Sequence, residues 1–137
     1  MMDLLSRIVD TPIDTMEALD FVRDPRCGAV VTFEGAIRSE NKGQKVISLF
    51  YEVCDALFHK INNDFVNEIN TRWELHRLAV IQRIGHLDVG EVGIVIAASS
   101  EHRRDALEAL DYVIEQFKKR SPVWKQEVTE VGTEWIN

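Results

Sequence analysis

Leu78-Ala-Val-Ile-Gln-Arg-Ile84 and Val92-Gly-Ile-Val-Ile-Ala-Ala98 are two short apolar runs joined by Gly85-His-Leu-Asp-Val-Gly-Glu91. Runs of this length, rich in β-branched residues and bounded by glycines that permit tight turns, predict two strands that pair as neighbours. Immediately after them, Ser99 or Ser100 is placed to cap a long helix, with Ala106, Leu110, Val113, Ile114 and Phe117 on one stripe. Ser121-Pro122 ends it, because the residue before a proline disfavours helical geometry.

Upstream, the pattern is shorter in period. Leu4 to Val9 predicts a strand, Asp14 caps a helix reaching about Arg23, and Gly28 to Gly35 predicts a second strand leading to Ala36-Ile37-Arg38. The polar stretch Ser39 to Lys45, with the turn formers Asn41 and Gly43, is expected to be a mobile loop before a strand from Val46 to Val53. From Asp55 the period becomes helical, with Leu57, Ile61, Phe65 and Ile69 recurring every four residues beside Phe58, Val66 and Trp73, so one face is expected to pack on a sheet. Downstream, Val123 to Ile136 alternates around Trp124, Gln126 and Val128 and turns at Gly132, which suggests a hairpin. The order β-α-β-β-α-β-β-α-β-β favours an α+β fold over a doubly wound sheet.

With 137 residues and 45% hydrophobic content, residues 1–137 are expected to form a single domain. No run of about 18 apolar residues is present, and Met1 to Asp10 mixes charges among its aliphatics. A soluble, cytoplasmic protein with no membrane partner is expected. A net charge of -7 argues against nucleic acid as a partner, although a local basic cluster in an acidic chain can focus a small anion. Cys27 and Cys54 form no C-x-x-C pair and are read as reduced, buried, inert thiols, and the four histidines lack two-ligand helical spacing. No metal site is expected.

Two clusters stand out. His102-Arg103-Arg104 puts potentially cationic side chains in the first turn of the long helix, where the dipole disfavours cations by about 0.3–1 kcal/mol. An anion such as phosphate held by those side chains and the free N–H groups is one reading; a solvated start offset by Glu101 is the other. Lys118-Lys119-Arg120 closes the same helix, where cations are at home. Lys125 follows seven residues later, between Trp124 and Gln126, either exposed on a polar strand face or with its stem hidden by apolar neighbours.

Three segments carry a resemblance: Phe33-Glu-Gly-Ala-Ile-Arg38 with Asn41-Lys-Gly43 and Leu49-Phe-Tyr-Glu52; Arg83 to Glu91 leading to Ser100-Glu-His-Arg103; and Lys118 to Glu127 with Gly132 and Trp135. In this order and spacing, from about Asp24 to Trp135, the chain resembles the molybdopterin synthase large subunit, the MoaE family. The resemblance implies an α/β hammerhead core with an additional antiparallel β subdomain, and a homodimer within a heterotetramer. Its partner would be a ubiquitin-like small subunit whose C-terminal Gly-Gly thiocarboxylate donates sulfur to cyclic pyranopterin monophosphate, also called precursor Z. Such a sulfurtransferase of molybdenum cofactor biosynthesis needs no cofactor of its own.

Matched residue by residue, the resemblance makes Lys118 and Lys125 catalytic and makes Arg38, His102 and Arg103 substrate-binding. Arginine suits a phosphate because its planar fork offers paired, permanently charged donors. Lysine suits proton transfer because burial and neighbouring cations make its neutral form accessible. His102 could orient substrate or move protons. Glu101 beside the His-Arg pair, Cys54 where relatives often carry tyrosine, and a chain that reaches only Asn137 depart from the pattern. A more open pocket is expected from the last. The alternatives are a non-catalytic scaffold that binds the same partner, or an unrelated small-anion-binding domain, and the discriminating observation is whether these five side chains converge.

Overall fold

The computed structural model describes residues 2–136. The elements in chain order are β1 (Asp3–Val9), α1 (Thr15–Val22), β2 (Ala29–Ala36), β3 (Glu40–Asn41), β4 (Gln44–Val53), α2 (Asp55–Asn70), β5 (Leu75–Arg83), β6 (Gly85–Asp88), β7 (Val92–Ser100), α3 (Arg103–Arg120), β8 (Val123–Thr129) and β9 (Gly132–Ile136).

One four-stranded sheet has the order β1-β5-β7-β2. The expected neighbours β5 and β7 pair antiparallel along their length, and β1 joins β5 in parallel. Period-2 alternation sends successive residues of β5 and β7 to opposite faces. Leu78, Val80, Ile96 and Ala98 pack under α2 and α3, whereas Ala79, Ile81, Val95 and Ala97 pack against Ala18 and Val22 of α1. Helices therefore cover both faces of this α+β core, which is why residues 78–81 of β5 and 92–98 of β7 are unbroken apolar runs.

A second, five-stranded sheet has the path β3-β4-β8-β9, with β6 also paired to β4. It is the additional antiparallel subdomain, with its own small core of Ile37, Val46, Leu49 and Leu87. The expected loop from Ser39 to Lys45 is instead a short β3–β4 hairpin. Lys42 and Gly43 occupy its turn with φ of 51° and 77°, the positive pair that suits a two-residue hairpin. The linker after β5 likewise contains β6, whose Leu87 lies opposite Leu49.

Several local expectations shift. The buried stripe of α2 is Phe58, Ile61, Asn62, Phe65 and Ile69, and Leu57 is exposed. Ser100 belongs to β7; α3 starts at Arg103, and the Ser100 hydroxyl accepts from Ala106 N–H at 3.1 Å, so it still satisfies a first-turn donor. Cys54, expected to be buried, is exposed as the N-cap residue of α2. The strand β7 is central between β5 and β2; the sheet edges are β1 and β2. No helix among the described residues is long and apolar enough to cross a membrane.

Candidate active site

The four-stranded sheet and the β subdomain meet along a cavity of about 790 Å³, within the range of small-molecule sites. Its apolar wall is Phe33 of β2, Ile94 and Ile96 of β7, and Ile114 and Phe117 of α3, with Val123 of β8. Three cations line the same space: Arg38, Lys118 and Lys125.

The last turn of α3 and the start of β8 bring the two lysines together. Ser121 donates its hydroxyl to the Val123 carbonyl at 2.8 Å, and the Pro122 carbonyl accepts from Cys54 N–H at 3.0 Å, so the chain reverses over two residues and is tied to the start of α2. On β8, Val123, Lys125 and Glu127 share one face by strand alternation. Val123 and Glu127 are buried and Lys125 is half-buried, so Lys125 faces inward and the exposed-face reading does not hold.

Arg38 follows a register irregularity at Gly35/Ala36 where β2 leaves β7. Ile37 is buried, and both its backbone groups are bonded, N–H to the Glu91 carbonyl at 3.0 Å and C=O from Gly90 N–H at 2.8 Å. That anchor turns Arg38 into the space between the sheets. Its guanidinium makes a long contact of 3.5 Å to the Asn41 amide oxygen, and the Asn41 nitrogen donates to both oxygens of Glu127 at 3.1 Å.

A smaller chamber of about 310 Å³ adjoins the first and shares Ala36, Arg38, Tyr51 and Lys125 with it; Glu40, Asn41, Lys42 and Glu127 complete its polar lining. Arg38 and Lys125 thus stand on the shared wall of two connected spaces. Such a concentration of positive charge in a chain of net charge -7 attracts an anion locally. Burial pushes the Tyr51 phenol above its ordinary pKa, so at neutral pH it presents an intact O–H.

His102 and Arg103 do not join this group within one chain. They sit at the start of α3, sixteen and fifteen residues before Lys118, which is about 22–24 Å along the axis at about 1.5 Å per residue. His102 is 84% exposed and lies 3.6 Å from the Glu101 carboxylate. Its backbone φ/ψ is extended, as an N-cap requires, but its side chain caps nothing. Three of the five expected site residues converge, and two face solvent at the far end of the same helix. Among the described residues no His/Cys/Asp/Glu cluster suited to a metal is found.

The sequence reading did not single out Tyr51, Glu127 or Glu34. Glu34 lines the large cavity and accepts from the Thr15 hydroxyl at 3.0 Å. Glu127 was detectable by parity, since it is two residues beyond Lys125 on a strand. Tyr51 likewise shares a face with Leu49 and Val53.

The family model described as MoaE protein matches residues 8–120. The chain belongs to the MoaE family. It is 39% identical over 129 residues to the molybdopterin synthase catalytic subunit of Bacillus subtilis, covering 94% of this chain and 82% of that one. The crystal structure of molybdopterin synthase from Staphylococcus aureus superposes with a TM-score of 0.87 at 36% identity, over 95% of each chain. A complex of subunits 1 and 2 of molybdopterin-converting factor from Helicobacter pylori matches with a TM-score of 0.78 at 21% identity, over 98% of this chain and 90% of that one. As a MoaE-family chain, it carries the fold and the role in molybdenum cofactor biosynthesis that its sequence led one to expect.

Proposed function

We propose that the cavity between the two sheets is a sulfur-transfer site, at which the thiocarboxylated Gly-Gly tail of a ubiquitin-like small subunit meets cyclic pyranopterin monophosphate. The observation that carries this reading is that Arg38, Lys118 and Lys125 line one cavity with a largely aliphatic and aromatic wall. The Helicobacter pylori structure, a complex of two subunits, supports a partner of this kind.

The chemistry asks for three things. The substrate phosphate needs a permanent cation with paired donors, which is the role of Arg38. The thiocarboxylate sulfur attacks a carbon of the pterin side chain, and the new carbon–sulfur bond forms as a carbon–oxygen bond at that carbon breaks, the oxygen leaving on the phosphate in one transfer and as water in the other; Lys118 supplies and removes the protons, and Lys125 assists and offsets the developing charge. Cleavage of the acyl–sulfur bond by water returns the tail as a carboxylate, and a second charged tail repeats the transfer. The apolar wall limits water and strengthens each of these electrostatic interactions.

His102 and Arg103 lie too far from Lys118 to touch the same substrate from the same chain. In a homodimer, a second copy brings its own His102 and Arg103 to the phosphate, and each site is then built from two chains. Cys27 and Cys54 are unbridged, which fits a reducing compartment such as the cytoplasm.

Calorimetric titration of cyclic pyranopterin monophosphate into the purified protein tests the site directly. Arg38→Ala is expected to weaken binding by at least tenfold, as loss of a charge-assisted contact of about 1.5–3 kcal/mol requires. Unchanged affinity in Arg38→Ala sends the phosphate elsewhere.

A further inference from the structure

Four residues of α3, Glu108, Tyr112, Gln116 and Arg120, recur every four positions and form one ridge on the side turned toward α2. Each is tied down. Trp73 donates its indole N–H to Glu108 at 3.1 Å, and the Tyr112 hydroxyl donates to Glu68 of α2. The Arg120 guanidinium reaches both oxygens of Glu68 at 2.7 Å and the Gln116 amide oxygen at 3.0 Å, and it lies over the ring of buried Phe65 at 5.2 Å. Glu68 is the hub, accepting from Arg120 in a fork and from Tyr112 besides.

Lys118 stands on the other side of the same helix. At about 100° per residue, it is roughly 160–200° around the axis from Gln116 and Arg120. It shares its face with Ile114, four residues earlier, and both line the large cavity. Among the described residues of the last turn, Arg120 is the basic one tethered to another element; Lys118 and Lys119 are exposed.

The last turn of a helix is where order is cheapest to lose, because its carbonyls have no partners further along the helix. Here that turn carries the residue on which the chemistry depends, and a displacement of about 1 Å at a reacting group costs on the order of 10²-fold in rate. Ser121 and Pro122 hold the chain after the turn, and buried Phe117, edge-on to Phe58, seats the apolar side of the turn in the core. The Glu68 fork fixes its polar side, since two parallel N–H···O bonds define an orientation as well as a distance.

We propose that Glu68, acting through Arg120 and Tyr112, is a positioning residue that fixes the rotation of the last turn of α3 and so aims Lys118 into the cavity. This rests on the sulfur-transfer reading for the role of Lys118, but not for the geometry. Arg120 holds the Glu68 carboxyl below its ordinary range, with Tyr112 adding to the effect, consistent with a carboxylate that stays ionised and bonded in the working state.

The test uses Glu68→Gln, which keeps the shape and one acceptor, and Arg120→Lys, which keeps the charge but loses the fork. Turnover is measured with the partner subunit and the pterin substrate, at a temperature where both variants remain folded. In parallel, ¹³C-dimethylated lysines are followed by NMR as a function of pH, with the Lys118 signal identified by its loss in Lys118→Arg. Lys60, paired with Asp64 on the outer surface of α2, is the internal control.

The expected result is a fall in kcat of roughly tenfold to 10²-fold with KM for the pterin changed by less than about threefold. The Lys118 signal shifts or broadens and titrates differently, while Lys60 is unmoved. Variants that melt earlier but keep kcat and the Lys118 titration overturn the proposal and leave the clamp a stabilising contact only. If the wild-type protein transfers no sulfur yet Lys118 still responds to Glu68→Gln, the sulfur-transfer reading fails and the positioning role stands.

Discussion

Tyr51 lies directly opposite Lys125 in the β4–β8 ladder, and both side chains line the two chambers beneath the end of α3. One cross-strand pair therefore joins an aromatic wall to a cation, and what lies behind that pair controls the width of the site. Behind Tyr51 is Gly93 of β7.

A methyl group at Gly93 would meet the Tyr51 ring at 2.7 Å and its hydroxyl at 3.2 Å, so Gly93→Ala must displace Tyr51 toward the cavity. Overpacking of this kind costs about 1–3 kcal/mol. Denaturant unfolding should report that loss, and KM for the pterin should rise. Tyr51→Phe, which removes only the hydroxyl, should leave KM close to that of the parent protein.

Gly28 serves the opposite end of α3. A Cβ there would stand 2.8 Å from the Glu101 carbonyl oxygen, which already accepts from Gly28 N–H at 3.1 Å. Gly28→Ala should push away the segment leading into α3 and disturb His102 and Arg103 while sparing Lys118. Substrate affinity is the measurement: a rise of several-fold in Kd with an unchanged Lys118 environment is expected.

If each site draws on two chains, two inactive variants can complement one another. Lys118→Ala has an intact start of α3, and Arg103→Ala has an intact end. Mixed dimers of the two should regain up to about half of the parent activity per mixed dimer, since one composite site has both groups. Activity no higher than that of either variant alone would argue that Arg103 and Lys118 do not serve a shared substrate across a dimer.

Acid should weaken the fold through two carboxylates. Glu68 is held low chiefly by Arg120, and Glu91 chiefly by Arg83, which it meets at 2.7 Å. A folded-state pKa below the unfolded value means the contribution is fully present above about 4.5, the unperturbed value, and fades as pH falls through the lower folded one. Urea midpoints should therefore separate the parent from Glu68→Gln at pH 7, and the gap should close between pH 4.5 and lower values. A gap that widens on acidification would contradict the sign.

Much of this fold was legible because its signals are local. The Asp14 side chain accepts from Met16 N–H as an N-cap should, and the β5 and β7 runs alternate between two cores. What escaped is non-local or polar. β6 is a short strand whose partner β4 lies more than thirty residues earlier, and nothing in Gly85 to Asp88 announces it. The α2 stripe was misphased at Leu57 because hydrophobicity gives no reason to bury Asn62, which does so by donating to the Ser6 hydroxyl at 2.9 Å. β7 is central because β2, from a distant part of the chain, pairs with its far edge.

The site divides in the same way. Lys118 and Lys125 were placed together by a two-residue reversal that Ser121-Pro122 signals in the sequence. Strand parity, applied to Val123, Lys125 and Glu127, points the second lysine inward. The separation of His102 and Arg103 from the lysines also follows from helix length, at about 1.5 Å per residue. Whether a second copy closes that gap is a property of the assembly, and no pattern within one chain encodes it.

The most direct test is a reconstituted reaction: this chain, the thiocarboxylated small subunit and cyclic pyranopterin monophosphate, with molybdopterin detected by its fluorescence after oxidation. Product is expected with the parent protein, with a loss of at least 10²-fold in Lys118→Ala, while that variant still folds and still binds the small subunit. Normal turnover by Lys118→Ala, or no product from the parent despite a formed complex, would contradict that expectation.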